Sequence, residues 1–144
     1  MSCIGFLSPE HRAALAASRG GSGPPLSSFA SPPATGSKVR RVQLLAAHRD
    51  RAIRESAALS CHAPVDVLER LTGDAAVSVR ACVARNPRAP EWVLRVLADD
   101  EDPRVRGWVA ANPACHPALR AELAEDEDAE VGAVVGWADR WVGR

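Results

Sequence analysis

The sequence has few aromatic residues and no excess of charge of either sign. Its 144 residues include no tyrosine, two phenylalanines and four tryptophans, and its 18 lysines and arginines balance 18 aspartates and glutamates. The shortage of aromatic residues is untypical of β-sheets, whereas short apolar side chains suit close packing of helices. The balanced charge excludes the strongly basic composition that is typical of many nucleic-acid-binding domains.

Cysteines and long apolar runs are also scarce. The four cysteines form no C-x-x-C pair and lack the spacing that is usual for zinc or iron–sulfur ligands. They are Cys3, Cys61, Cys82 and Cys115. No segment approaches the roughly 20 apolar residues of a membrane-spanning helix, and the apolar run at residues 4–7 is too short for a secretion signal. We therefore predict a cytoplasmic protein with reduced thiols, no cofactor, no metal and no membrane contact.

A repeat of about 26 residues runs through most of the sequence, a period within the range that is typical of stacked-repeat architectures. A Val-Arg pair, an Asn-Pro pair and a leucine each return after one period. These are Val79-Arg80 and Val105-Arg106, Asn86-Pro87 and Asn112-Pro113, and Leu71, Leu97 and Leu123. Units with a fixed period stack and bury their apolar faces only against neighbouring units, so about three are needed for stability.

The period and the composition divide the chain into an arm and an array. Residues 19–37 are rich in glycine, serine and proline, and residues 1–18 have only a weak apolar stripe. We therefore predict a disordered N-terminal arm and linker over residues 1–37. We predict a helical repeat domain over residues 38–144. It consists of a half unit at 38–48, full units at 49–74, 75–100 and 101–126, and a capping unit at 127–144.

The pattern of each full unit predicts two short helices. In the third unit, Asp102 followed by Pro103 provides an N-cap and a proline at the first helical position. Val105, Trp108 and Val109 then follow at the spacing of a buried helical stripe. We expect all three to face the core.

Asparagine and proline mark the predicted ends and starts of the helices. We expect Asn112 to end the first helix in the left-handed conformation that asparagine tolerates, before Pro113 prevents continuation. Pro90 and Pro117 precede or open the second helices of two successive units, and their separation exceeds the repeat period by one. This offset predicts that the loop of the third unit is one residue longer.

The last segment of the chain keeps the period but lacks the Asn-Pro pair. It contains Trp137 and Trp141, which are one helical turn apart. Terminal repeats are atypical because one face has no neighbour. We favour an interpretation in which both tryptophans cover the open end of the core; the alternative is an adhesive surface that mediates self-association through the C-terminal end.

The motifs V-R-x-x-V-A-x-N-P, P-x-x-V/L-L and L-A-x-D resemble those of the variant leucine-rich repeat family, which is also described as HEAT-like. The resemblance covers about residues 50–135. It implies an all-α fold, a short right-handed solenoid of stacked helix pairs, one helix of each pair often being tight and 3₁₀-like. One branch of the family carries an iron–sulfur cluster on an N-terminal cysteine cluster. Only Cys3 is present there, so no such cofactor is expected.

Equivalent charged residues of the repeat form two columns. One column is basic and the other acidic. They consist of Arg54, Arg80 and Arg106, and of Asp74, Asp100 and Asp126. We predict a structural ladder in which arginines pair with acids within a unit or in the next unit, because bidentate arginine–carboxylate pairs are strong. The alternative is an arginine row that binds an anionic partner.

The sequence contains no motif or cluster that indicates catalysis. Cys61-His62 and Cys115-His116 lie about two units apart, so they are not expected to form one site. An enzyme would require a buried acid with a raised pKa in a cleft, and no residue can be named for that role. We therefore predict a protein that is not an enzyme and has no catalytic residues.

We predict instead a non-catalytic scaffold that binds a protein or peptide, because solenoids offer extended binding surfaces. The predicted binding face carries Arg88, Trp92 and Arg95, a composition typical of binding hot spots. In the alternative for this face, Trp92 packs between units. The alternative function is a nucleic-acid-binding HEAT-like module that uses the basic segment 38–54, with affinity that falls steeply as salt rises.

Overall fold

The computed structural model describes Glu10 and residues 35–142, the last two of these by their backbone alone. The chain divides into two compact units, residues 1–33 and 34–144. Most of the predicted N-terminal arm therefore lies outside the described residues. The first described helix of the second unit begins at Gly36, inside the range predicted as linker. Its first turn forms because Lys38 and Val39 donate their backbone N–H groups to the carbonyl of Thr35.

Residues 35–142 form eight helices and no strand, which confirms the predicted all-α repeat solenoid. In chain order they are α1 (Gly36–Ala46), α2 (Arg51–Ala58), α3 (Val65–Thr72), α4 (Val77–Arg85), α5 (Glu91–Ala98), α6 (Pro103–Ala111), α7 (Pro117–Ala124) and α8 (Ala129–Val142). None of these helices is both long and apolar enough to cross a membrane.

The helices keep one register throughout the array. The first helices of successive units, α2, α4, α6 and α8, begin one repeat period apart, and so do the second helices, α3, α5 and α7. The extra loop residue predicted for the third unit is therefore absent. Pro90 is the N-cap of α5, whereas Pro117 is the first residue of α7 and follows the N-cap His116. Proline is tolerated at the start of a helix because the N–H it lacks has no partner there, so adjacent positions serve equally well.

Aspartates start most of the first helices. Asp50 and Asp102 accept the backbone N–H groups of Ala52 and Arg104, each at 2.9 Å, and so satisfy donors that have no partner within the helix. Helices as short as α2 and α6 are only marginally stable alone. Their stability in this chain therefore depends on packing between units.

The core consists of columns of equivalent apolar residues. Each column consists of valines or leucines from three successive units. The columns are Val79, Val105 and Val131; Val83, Val109 and Val135; Val67, Val93 and Leu119; and Leu71, Leu97 and Leu123. All of these side chains are buried. The core therefore extends along the array as each unit is added, as expected for a solenoid.

Two further local predictions for the third unit are wrong. Trp108 is 42% exposed, although Val105 and Val109 on the same helix are buried. Its side chain lies at the edge of the buried stripe, where the equivalent residue of the second unit is Cys82. Asn112 has φ −71° and ψ 130°, which is an extended conformation and not the left-handed one. The asparagine therefore acts through its side chain and not through a left-handed backbone conformation.

Helix α8 packs over the C-terminal side of the third unit. It buries Val131, Val135 and Ala138, spaced so that they share one helical face. Trp137 lies beside this face and is 51% exposed, so smaller residues cover most of the core there. The side chain of Trp141 lies outside the described part of the chain.

Candidate functional site

Each arginine of the basic column pairs with the acid at the end of its own unit, which follows it by 20 residues. The pairs are bidentate: Nε and Nη2 each donate to one carboxylate oxygen. The distances are 2.6 and 3.0 Å for Arg54–Asp74, 2.7 and 3.0 Å for Arg80–Asp100, and 2.7 and 2.8 Å for Arg106–Asp126. Such forked pairs fix orientation as well as adding energy.

The remaining donors of these arginines bind the loop that precedes their own helix. Arg80 Nη1 donates to the carbonyl of Asp74 at 2.9 Å, and Arg106 Nη1 donates to that of Asp100 at 2.8 Å. Hydrogen bonds from the arginines lower the pKa of Asp74 and Asp126 below the usual value for aspartate. Each guanidinium thus links two consecutive loops, which leaves little of it for an anionic partner.

A second ladder is formed by the asparagines of the Asn-Pro pairs, whose side chains the sequence pattern did not reveal as bonding groups. Asn112 is 2% exposed, and its Nδ2 donates to the carbonyls of Ala84 at 2.5 Å and Asn86 at 3.0 Å. Its Oδ1 accepts the backbone N–H of Ala114 at 2.8 Å. The fully buried Asn86 makes the equivalent bonds one unit earlier, with Ala58, Ser60 and Arg88.

At the end of the ladder, Arg120 makes the hydrogen bonds that an asparagine makes in the earlier units. The position equivalent to Asn112 in the last unit is occupied by Ala138, which has no donor in its side chain. Arg120 Nε donates to the carbonyl of Ala110 at 3.2 Å, and its Nη2 donates to that of Asn112 at 3.3 Å. These two carbonyls are the equivalents of those that Asn112 binds. The two preceding units have leucine at the position of Arg120. The arginine in the third unit therefore supplies, from within that unit, the donors that the next unit lacks.

An apolar groove of about 330 Å³ lies between α6 and α8. Trp108 and Trp137 line it together with Val131 and Val134, and both indoles are about half exposed. Gly107 lies in the same lining and contributes no side chain to it. The groove therefore combines aromatic side chains with a small, apolar floor.

Charged residues border this groove on both helices. Arg104 and Glu130 are part of its lining, from the first turns of α6 and α8. Arg104 is held by Asp102, which accepts its Nε at 3.1 Å and its Nη2 at 2.9 Å. On the neighbouring helix α4, the guanidinium carbon of Arg85 lies 4.5 Å from the centre of the Trp108 ring, a cation–π contact.

The groove belongs to a continuous face formed by the first helices. Neighbouring first helices are in more extensive contact than neighbouring second helices, the pattern expected on the concave side of a solenoid. Leu59, Arg85, Ala111 and Trp137 occupy equivalent positions on this face, and Leu59 is 45% exposed. The face thus presents one apolar or cationic residue per unit.

Residues 78–136 match the family model of the Leucine Rich Repeat Variant domain. They belong to the variant leucine-rich repeat family. The match confirms the resemblance and covers both asparagines, two arginine–aspartate pairs and the lining of the groove except Trp137. No curated protein and no solved structure matches the chain.

The binding face predicted from the sequence lies elsewhere on the variant leucine-rich repeats. Trp92 is 46% exposed on α5, so it lies at the surface and not within the contact between units. Arg95 on the same helix donates to Glu122 of the next unit at 3.1 Å, and both side chains are half exposed. Arg88 is exposed in the loop before α5. The structure thus keeps all three residues at the surface, with Arg95 engaged in an ion pair.

The basic segment 38–54 is partly engaged within the repeats. Arg54 binds Asp74, and Arg51 contacts Glu55 at 3.2 Å. Lys38 and Arg41 line a second cavity of about 320 Å³ between α1 and α2. Neither forms an ion pair with a carboxylate within residues 35–142.

The thiols and histidines of the variant leucine-rich repeats form no metal centre among the described residues. Cys82 and Cys115 are buried, and burial raises the pKa of both thiols. A raised pKa lowers the fraction of reactive thiolate at neutral pH. Cys61 is an exposed free cysteine.

Proposed function

We propose that this chain is a non-catalytic repeat scaffold that binds an extended peptide segment of a partner protein in the groove between α6 and α8. The observation that carries the proposal is the pair of half-exposed tryptophans, Trp108 and Trp137, on either side of an apolar floor. Tryptophan is enriched in binding hot spots, where its large surface is desolvated by a partner.

The size and setting of the groove support a peptide ligand. The groove of about 330 Å³ lies at the lower end of the roughly 300–1,000 Å³ of small-molecule sites, so it has room for one bulky side chain of a peptide. The face continues from the groove towards α4 and α2 through the equivalent residues Arg85 and Leu59, which suits a segment that crosses several units. A side chain between the indoles and a backbone along the face would together give specificity.

Peptide selection tests this proposal directly. A library of random peptides is displayed and selected on the full chain, and the affinity of each selected peptide is measured for the wild type and for Trp108→Ser, Trp137→Ser and Trp92→Ser. Loss of a buried tryptophan contact costs about 2 kcal/mol, so we expect about thirtyfold weaker binding for the two groove variants. Trp92→Ser is the matched control, because Trp92 is exposed to a similar extent on α5.

The control also decides between the two faces. Selected peptides that lose affinity only with Trp92→Ser would assign the site to the face with Arg88 and Arg95. Peptides that bind all three variants as tightly as the wild type would refute a tryptophan-based site. Thermal unfolding of each variant confirms that weaker binding does not result from loss of the fold.

A second candidate function is nucleic-acid binding by the basic segment 38–54. The cavity that carries Lys38 and Arg41 favours it, because both cations are free of acidic partners in the described region. It predicts that the chain binds duplex DNA at about 50 mM salt and that the affinity falls steeply as the salt concentration rises. Binding should be lost in the double variant Lys38→Gln and Arg41→Gln. Absence of DNA binding at low salt would refute this second function.

The cytoplasmic location remains a prediction from the sequence.

A further inference from the structure

We propose that the bound peptide carries a carboxylate about three residues from its bulky apolar side chain, and that Arg85 binds this carboxylate. The inference rests on the proposed function, because it names the chemistry of the peptide that the groove between α6 and α8 accepts. Its observations are the stacking of Arg85 on Trp108, the absence of an acidic partner for Arg85 and the position of Glu130.

Arg85 is held in place but its donors remain available. Its guanidinium carbon lies over the Trp108 ring, 4.5 Å from the ring centre, so the indole occupies one side of the group. The N–H donors of a guanidinium lie in its plane and point outward, where they match the two oxygens of a carboxylate. Stacking also restricts the side chain before a partner arrives, which lowers the entropy lost on binding.

Arg85 differs from the other arginines of α2, α4 and α6, each of which contacts a carboxylate of the chain itself. Many arginines of the array contact a carboxylate of the chain itself. They are Arg51, Arg54, Arg80, Arg95, Arg104, Arg106 and Arg120. Among the residues that the structure describes, Arg85 forms no such pair, although its side chain is exposed beside the groove.

The charges around the groove favour an acid on the Arg85 side. Arg104 lines the groove, but its Nε and Nη2 donate to Asp102 and its charge is balanced there. Glu130 lines the groove near the first turns of α6 and α8 and forms no ion pair within residues 35–142. A peptide carboxylate would be repelled by Glu130 and attracted by Arg85, which lies in the last turn of α4.

The spacing between the two groups sets the spacing in the peptide. Arg85 lies 4.5 Å from the Trp108 ring, and the groove borders that ring without including Arg85 in its lining. An apolar side chain packed against the same indole would lie about 4.5–7 Å from its centre. The guanidinium and that side chain are then at most roughly 9–12 Å apart, which corresponds to about three residues of an extended chain that rises about 3.3 Å per residue. The peptide chain can cross the groove in either direction, so the acid follows or precedes the apolar residue in its sequence.

Capped nonapeptides of alanine and serine test this assignment by isothermal titration calorimetry on the full chain. Each contains one tryptophan, with glutamate three residues after it or three residues before it, and each has a counterpart with glutamine in place of glutamate. We expect one of the two glutamate peptides to bind the wild type about fivefold more tightly than its glutamine counterpart. This difference should disappear in Arg85→Gln and persist in Arg88→Gln, which removes another exposed arginine.

The outcomes separate this inference from the function on which it rests. If glutamate and glutamine peptides bind equally and Trp108→Ser still weakens both, the carboxylate assignment is overturned and the peptide groove stands. If Trp108→Ser changes the affinity of none of the peptides, both proposals are overturned. A wild-type dimer in sedimentation that Trp137→Ser converts to monomer would assign the groove to a second copy of the chain and would also overturn the inference.

Discussion

The buried amide of Asn112 offers the sharpest test of how the units are joined. Replacement by alanine removes two hydrogen bonds that Nδ2 donates, to Ala84 and Asn86, and one that Oδ1 accepts from Ala114. A buried polar group left without its partner costs about 1–3 kcal/mol. Because the loop at Ala114 is open to water, we take the lower end for each of the three bonds and expect Asn112→Ala to lose about 3 kcal/mol of stability.

An isosteric substitution separates hydrogen bonding from packing. Asn112→Asp keeps the shape of the side chain and the acceptor for Ala114, but at neutral pH its carboxylate has no donor and faces two carbonyl oxygens. We therefore expect a larger loss than with alanine. Ala114→Asp is the matched control, since it adds the same charge in the adjoining loop at an exposed position, where substitutions usually stay within about 0.5 kcal/mol.

Urea unfolding followed by far-ultraviolet circular dichroism measures these losses. With a slope of about 1.5 kcal/mol per molar urea, a loss of about 3 kcal/mol lowers the midpoint by about 2 M. Coincidence with tryptophan fluorescence checks that the array still unfolds as one cooperative unit. An Asn112→Ala variant within about 0.5 kcal/mol of the wild type would refute the role of this amide as the link between units.

Two further predictions concern the ends and the edge of the array. Arg120→Leu introduces the leucine that the two preceding units have at this position, but it leaves the carbonyls of Ala110 and Asn112 without their donor. We therefore expect urea unfolding to show that the free energy of unfolding falls by about 2 kcal/mol and does not rise. The pKa of Asp126 is lowered by Arg106, so its stabilising contribution is present above the unfolded value of about 3.9 and is lost as pH falls through the lower folded value. Acid titration should therefore show a flatter loss of stability for Asp126→Asn than for the wild type.

The sequence predicts the repeat register well because stacking requires equal spacing. Leu71, Leu97 and Leu123 recur with the period of the repeat and all are buried, since each meets its equivalent only if every unit has the same length. The extra loop residue predicted from Pro90 and Pro117 was wrong for a related reason. A proline can cap a helix or open it, so a shift of one position in sequence need not change the loop.

The side-chain roles were harder to predict because their partners are distant in sequence. Asn112 fits the end of a helix on local grounds, and nothing near it indicates that its amide reaches a carbonyl 28 residues earlier. Trp108 has helical spacing with Val105 and Val109, so a single unit predicts burial. Its equivalent in the first unit, the exposed Ser56, is the available signal for a surface residue at this position, whereas its equivalent Cys82 in the second unit is buried.

The place of Arg120 determines where this array can lengthen. A second copy of residues 75–100, inserted after the first, would find all its partners, because its asparagine would reach the carbonyls of Ala84 and Asn86 in the copy before it. A second copy of residues 101–126 would set an incoming asparagine and the resident arginine against the same two oxygens. Duplication, natural or engineered, is therefore tolerated on one side of Arg120 and opposed on the other.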